Sequence, residues 1–287
     1  RLFAKLFALQ SHCVFYKGEN MEKLEKIHSV LFDMLREIAS LCDKYEIEYF
    51  LDSGTLLGAV RHQDFIPWDD DADIAMKRSE YEKFLKVADE LPKPYLLIQP
   101  QDYGGYFFDF APRVINMDEP LHTETKEDIA QNNYQNRMAV DIFLLDNAPD
   151  DLKAFHKMVL KQKILYGYAM AHRFNKKMHS HSLSEKLKIF ILSFLGKFHS
   201  LKNILKKQEC LSTAYNKKDT NYYCFTNVIL KEIGNRYSKE WFDSSVKLPI
   251  RDALFTCPAG YDKTLTALYG DYMTPPPPEE RYPSHID

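Results

Sequence analysis

The sequence is poor in the features that mark several large classes of protein. Five cysteines, at positions 13, 42, 210, 224 and 257, are spread over 287 residues. No two stand as C-x-x-C and their number is odd. This argues against a disulfide framework or a thiolate zinc site, and points to a reducing, cytoplasmic setting. No uninterrupted apolar run is long enough to span a bilayer. Residues 1–20 hold only a short apolar stretch, broken by Lys5 and lacking a small-residue cleavage site, so they do not read as a signal peptide. They read as an N-terminal extension that fits poorly with the rest of the chain, with Met21 a candidate natural start. Internal repeats are absent. The net charge is only −3.

What is present describes an ordinary globular protein, 45% hydrophobic and 28% charged, long enough for one large domain or two smaller ones. The 18 Tyr and 19 Phe are mostly core, with some left to line a pocket. Charge is unevenly placed. Residues 151–220 carry 15 Lys/Arg and 4 Asp/Glu, so a basic middle lies within an acidic remainder and suggests an anionic partner.

Apolar residues Leu24, Ile27, Leu31, Leu35, Ile38 and Leu41 recur at helical spacing and predict a helix over 22–45. A short strand is expected at Ile47–Leu51, then a tight turn at Gly54 into a helix over Thr55–Val60. The free N–H groups at that helix start favour phosphate. Pro67 ends the segment. Asp71–Met76 alternates as a strand, which puts Asp71 and Asp73 on one face. Ser79 and Glu82 read as a capping box opening a helix to about Glu90. Strands are expected at Tyr95–Gln99, Phe107–Ile115 and Met138–Leu144. The last is apolar but for Asp141, an expensive place for a carboxylate without a partner. Residues 151–218 read as helical and basic, and Pro275–Pro278 as an extended run that joins no ladder.

The stretch from Asp64 to Asp73 crowds five carboxylates: Asp64, Asp69, Asp70, Asp71 and Asp73. Like charges this close repel unless something neutralises them. A solvated acidic loop is one reading, and a divalent cation with a phosphate behind it is the other. Two carboxylates at i, i+2 on one strand and a third on a later strand, after a glycine turn into a helix, are the parts of a nucleotidyltransferase fold. Gly54-Thr55-Leu56-Leu57-Gly58-Ala59-Val60-Arg61, followed by Pro67-Trp68-Asp69-Asp70-Asp71-x-Asp73-Ile74, resembles the LicD family of phosphorylcholine transferases and, more remotely, fukutin and fukutin-related protein. Asp141-Ile142-Phe143 and Tyr269-Gly270-Asp271-Tyr272-Met273 continue the resemblance, which spans most of residues 22–285. The family often has glycine where Ser53 stands and isoleucine where Ala72 stands.

The resemblance implies an α/β (α+β) fold: a nucleotidyltransferase-like mixed sheet flanked by helices, with an additional basic helical region. The expected organisation is an extension at 1–20, a catalytic core at 21–150, the basic helical region at 151–220, and a C-terminal motif region at 221–287 packing on the core. It implies Mg²⁺-dependent (or Mn²⁺-dependent) transfer of phosphocholine or a related phospho-alcohol from a CDP-activated donor, CDP-choline favoured, to a sugar hydroxyl of a cell-surface glycan, releasing CMP. Hard oxygen ligands suit such an ion, and an ion on the phosphates offsets charge in an in-line displacement. Asp71, Asp73 and Asp141 are the expected metal ligands and catalytic residues. Asp141 also stands as a proton acceptor for the attacking hydroxyl. Asp69 is a further metal ligand, a support to the ligands, or a solvated loop residue, and Asp70 is expected to be exposed. Arg61 and Arg113 suit phosphate oxygens, with a structural salt bridge the other reading of Arg61. Gly54 and Thr55 would let the backbone approach the phosphates.

A quaternary ammonium has no N–H to donate, so aromatic faces are its natural receptor. Trp68, Tyr103, Tyr106, Tyr269 and Tyr272 are candidates. Asp271 and Arg281 read either as a pair holding the C-terminal turn or as substrate contacts, and His285 as a solvated tail residue. The helix over 187–205 has two readings: packed in an all-α subdomain, or resting on the anionic inner face of the cell membrane, where a lipid-linked glycan acceptor is found. Two alternatives remain at this point: nucleotidyl transfer to a small acceptor with release of pyrophosphate, and a catalytically inactive glycan-binding protein. No base-reading motif accompanies the basic segment, so no nucleic-acid partner is expected.

Overall fold

The computed structural model describes the backbone of residues 2–174, 183–227 and 233–283, and the side chains of residues 21–174, 187–227 and 233–283. His285 therefore lies outside the described residues, as do Arg1, Lys176 and Lys177. The first element is one long helix, α1 (Leu2–Lys44), in which the expected 22–45 helix is the C-terminal part of a longer one. Its apolar stripe Leu24, Ile27, Leu31, Leu35, Ile38 and Leu41 is buried, because a repeat of three and four residues keeps one face on the core.

The chain then forms β1 (Phe50–Leu51), α2 (Ser53–Arg61), β2 (Ala72–Lys77), α3 (Arg78–Val87), β3 (Tyr95–Ile98), β4 (Arg113–Asn116), α4 (Lys126–Ala130) and β5 (Ala139–Ala148). Three helices come next, α5 (Leu152–Ala169), α6 (Leu183–Gly196) and α7 (Leu201–Ser212). After them are β6 (Tyr222–Phe225), β7 (Tyr237–Ser238), a hairpin of β8 (Ser245–Ile250) and β9 (Ala253–Pro258), and α8 (Tyr261–Tyr269). The fold is thus mixed α/β, as expected.

Among the described residues seven strands form one mixed sheet, running β1-β2-β5-β4-β3, with β6 on β5 and β7 on β6. The β2–β5 pair is parallel and the other pairs are antiparallel. β5 is the hub. One of its edges takes β2 over residues 140–145. The other takes β4 at the start, residues 139–141, and β6 at the end, residues 145–148. β5 is therefore longer than the expected Met138–Leu144. The expected strand over Phe107–Ile115 shrinks to Arg113–Asn116, and that over Ile47–Leu51 to its last two residues.

The pleat sorts side chains between two faces. Val140, Ile142 and Leu144, with Ala72, Ile74 and Met76, enter a core shared with α1, α2, β9 and α8. On the other face Ala75 and Leu145 meet Phe155, Met158 and Phe225 in a second core under α5 and β6. Asp73 and Asp141 belong to this second face, beyond the end that α5 covers.

The capping box expected at Ser79 does not form. α3 starts at Arg78, so its N-cap is Lys77, two residues before Ser79, and Lys77 makes no side-chain capping bond. Lys77 is held by Glu48 at 2.7 Å and Arg78 by Asp146, so tertiary ion pairs fix the strand-to-helix junction ahead of Ser79. A true capping box sits instead at α4, between Thr125 and Asp128. Among the described residues no helix is long and apolar enough to cross a membrane.

Candidate active site

A cavity of ≈ 1190 Å³ opens on the second face of the sheet. Odd-numbered residues along β5 and the turn before it, Arg137, Ala139, Asp141 and Phe143, form one wall with Met138, while Val140 and Ile142 are buried in the core. The start of α2 contributes Ser53 and Gly54, the loop before β2 contributes Trp68 and Asp69 to Asp71, and the C-terminal segment contributes Tyr269, Asp271 and Tyr272.

The carboxylates converge as expected. In the parallel pairing Asp73 stands directly opposite Asp141, so both project from neighbouring strands onto the same face. Asp73 is buried, at 8% exposure. Its pKa lies well above the ordinary carboxylate value, first because burial penalises the charge, then because Asp71, Asp141, Asp52 and Asp69 are all nearby. Thr55 does not reach the cavity. Its buried hydroxyl accepts the backbone N–H of Asp73 at 2.8 Å, so it positions the aspartate. Gly54 serves a close approach, since a Cβ there would collide with the Asp69 carboxylate. Ser53 has φ +47°, a left-handed conformation that glycine adopts freely and serine only at a cost. That matches a position where the family often carries glycine.

Asp70 corrects an expectation. It is buried, at 5% exposure, and not solvated. Asp64 lies apart from the cluster, paired with Arg251 at 3.1 Å. Asp69 lines the cavity while its backbone carbonyl is held by His28 Nε2 at 2.7 Å.

The arginines divide by role. Arg113 Nη2 lies 2.6 and 2.7 Å from the two oxygens of Asp141 and donates to Oδ2. Burial opposes its charge, but Asp141, Tyr103 and Asp109 together outweigh that and raise its pKa. Arg113 therefore holds Asp141 in place, where the sequence pointed to phosphate. Arg61 has no carboxylate partner among the described residues. Its Nη1 donates to the Tyr272 carbonyl at 2.7 Å, its Nε is buried without a partner, and burial together with Arg281 lowers its pKa. Among the described residues the salt-bridge reading of Arg61 therefore finds no partner. Arg137, which sequence reasoning missed, is half-buried in the wall with its Nε buried and unpartnered. Its position two residues before β5, in phase with Asp141, was the available signal. Asp109 was also missed. It lines the cavity, and burial above all raises its pKa.

Of the aromatic candidates, Trp68, Tyr269 and Tyr272 line the cavity. Trp68 carries Arg281 over its ring at 5.1 Å, and the Tyr272 hydroxyl donates to Asp262 at 2.7 Å. Tyr103 is fully buried, stacked on Phe108. Tyr106 packs edge-on against Phe174, and neither ring reaches the cavity. Phe108, Phe143 and Tyr282 do, and were not anticipated. Asp271 and Arg281 do not pair: Asp271 accepts from Thr274 at 2.8 Å and Arg281 donates to the Pro276 carbonyl at 2.8 Å.

Among the described residues no three His, Cys, Asp or Glu side chains are set closely enough to enclose an ion as they stand. The donor chemistry still fits a hard divalent cation. Asp71, Asp73 and Asp141 offer oxygens only, Asp73 sits in a field of like charge, and Asp141 Oδ1, buried 2.6 Å from Arg113 Nη2, accepts no hydrogen bond.

A mixed sheet with a helix N-terminus beside strand-borne aspartates is the arrangement of a nucleotidyltransferase-type fold. Residues 46–178 match the family described as LicD/FKTN/FKRP, nucleotidyltransferase domain. The chain is 28% identical over 264 residues, 90% of its own length and 94% of the relative's, to the lipopolysaccharide cholinephosphotransferase LicD of Haemophilus influenzae. An uncharacterized protein of Rickettsia typhi is 41% identical over 63 residues, 22% of this chain and 20% of that one. Another, from Rickettsia prowazekii, is 46% identical over 50 residues, 17% of this chain and 19% of that one. The family match covers residues 46–178 and the likeness to the Haemophilus influenzae protein extends over nine-tenths of the chain, which places it with enzymes of the transferase class.

Proposed function

We propose that the protein transfers phosphocholine, or a closely related phospho-alcohol, from a CDP-activated donor to a sugar hydroxyl of a cell-surface glycan, with Mg²⁺ or Mn²⁺. The observation that carries this is the in-register pair Asp73 and Asp141, with Asp71 beside them, on the floor of a cavity whose walls also hold Arg61 and Arg137, two arginines without carboxylate partners among the described residues. The likeness to the Haemophilus influenzae cholinephosphotransferase over nine-tenths of the chain supports the choice of group and of acceptor class.

Asp71, Asp73 and Asp141 would hold the cation, which supplies charge neutralisation on the donor's phosphates. Arg61 and Arg137 offer planar forks to the remaining phosphate oxygens. Gly54 keeps the α2 N-terminus open beside them. The acceptor oxygen forms a bond to the distal phosphorus, the bond from that phosphorus to the CMP oxygen breaks, and CMP leaves with the electron pair. The acceptor proton passes to a carboxylate in reach, with Asp141, held by Arg113 at 2.6 Å, as the acceptor. Trp68, Tyr269 and Phe143 supply ring faces for a quaternary ammonium that cannot donate a hydrogen bond.

The test is release of CMP from CDP-choline, CDP-ethanolamine, CDP-glycerol and CDP-ribitol, with amino-sugar glycans as acceptors, in Mg²⁺ and in EDTA. Metal-dependent CMP release with CDP-choline, lost in Asp73→Ala, is expected. Pyrophosphate release from a nucleoside triphosphate in place of CMP release would replace this reading with nucleotidyl transfer.

A further inference from the structure

α6 turns a broad apolar face to solvent. Its inner side is narrow: Leu192 packs where Gly167 of α5 leaves no side chain, and Gly196 sits against the Tyr168 backbone, where a Cβ would collide. On the outer side Leu187, Phe190, Ile191, Phe194, Leu195 and Phe198 are 59%, 66%, 49%, 53%, 41% and 75% exposed. At 100° per residue these six positions, with Phe198 just past the helix end, cover an arc of roughly 140°. Lys188 borders one side of the arc and Lys197 the other. From Lys186 to Gln208 the chain has six lysines and no acidic residue. Lys188, Lys197, Lys202, Lys206 and Lys207 form no ion pair among the described residues. An exposed patch of this kind marks an interface, and the packed all-α reading of this helix does not account for it.

We infer that the outer face of α6 docks the protein on an anionic lipid bilayer, as a helix lying in the interfacial plane. The 14-residue helix is too short to span. An apolar face rimmed by lysines meets both layers of such a surface: the rings enter the acyl boundary while the ammonium groups reach the anionic headgroups. A second copy of the chain fits less well, because a two-fold pairing of this patch with itself would bring its lysine borders together.

The test is flotation of the full chain with vesicles of phosphatidylglycerol and phosphatidylcholine, against vesicles of phosphatidylcholine alone, at low and high salt. Phe190→Ser/Phe194→Ser and Lys188→Gln/Lys197→Gln double variants run beside it, with thermal unfolding as the folding control. The expected result is binding to anionic vesicles only. It should weaken in salt, fall about thirtyfold in the lysine variant and be lost in the phenylalanine variant, with unfolding temperatures unchanged. Three results would each overturn the inference: no flotation of the wild type at low salt, equal flotation of the phenylalanine variant, or a wild-type dimer in solution that this variant converts to a monomer.

Discussion

Two aspartates five residues apart on β5 both carry an arginine, yet they live in opposite surroundings. Asp146 is fully buried and fully answered. Arg78 grips both oxygens at 2.8 and 2.7 Å, and Asn216 and Thr226 each donate at 2.6 Å. Asp141 has Arg113, but it shares its end of the sheet with Asp73 and Asp71, whose charges oppose one another. A buried carboxylate is therefore not in itself the mark of a site. What marks the site is that the fold sets carboxylates against each other, beside a cavity into which a cation and phosphates can come. Asp146 ties β5 to the start of α3, to the turn after α7 and to the residue that follows β6. The Asp73 cluster sets like charges together, and under the proposed function a cation offsets them.

This contrast can be broken or sharpened by mutation. The largest effect is expected for Asp73→Asn, which should lower metal-dependent CMP release by about a thousandfold, the scale of removing one transition-state charge contact. Asp146→Ala should act on stability instead. It leaves Arg78 buried without its main partner and should cost about 3–5 kcal/mol in denaturant unfolding, with activity per folded molecule retained. Arg137→Gln should weaken donor binding about tenfold, the value of one charge-assisted bond, measured by calorimetry, without changing the unfolding midpoint.

The smallest effect tests the rim. Asp128 has a lowered pKa: burial works against its charge, but Thr125 and Gln135 donate to it and win. A carboxylate depressed on folding stabilises above its unfolded value, and that stability is lost as pH falls through the folded value. Asp128→Asn should therefore cost about 1 kcal/mol at neutral pH, and the gap to wild type should close in acid.

Much of the site could be read from the chain. Asp71 and Asp73 were given by alternation, and Asp141 by being the one charge in an apolar run. Gly54 was given by its place between strand and helix. What escaped reading depends on partners distant in sequence. Asp146 closes the same alternating strand, but its donors Arg78, Asn216 and Thr226 stand 68 to 80 residues away. Arg113 read as a phosphate ligand because only the antiparallel β4–β5 pairing sets it opposite Asp141. Ser79 carried a local capping signal that lost to the ion pairs of Lys77 and Arg78. The exposure of α6 was open to two readings for the same reason: periodicity identifies an apolar face but not what covers it.

The central claim is that the Asp73 cluster is an incomplete site which a cation and phosphates complete. Thermal unfolding of wild type and Asp73→Asn, in EDTA and in Mg²⁺ with CDP, tests it most directly. In EDTA the variant should be the more stable, by about 1–3 kcal/mol, the cost of an unsatisfied buried group. Mg²⁺ with CDP should raise the wild-type midpoint and leave the variant's where it was. A variant that is less stable than wild type in EDTA, or that gains as much from Mg²⁺ and CDP, would contradict the account.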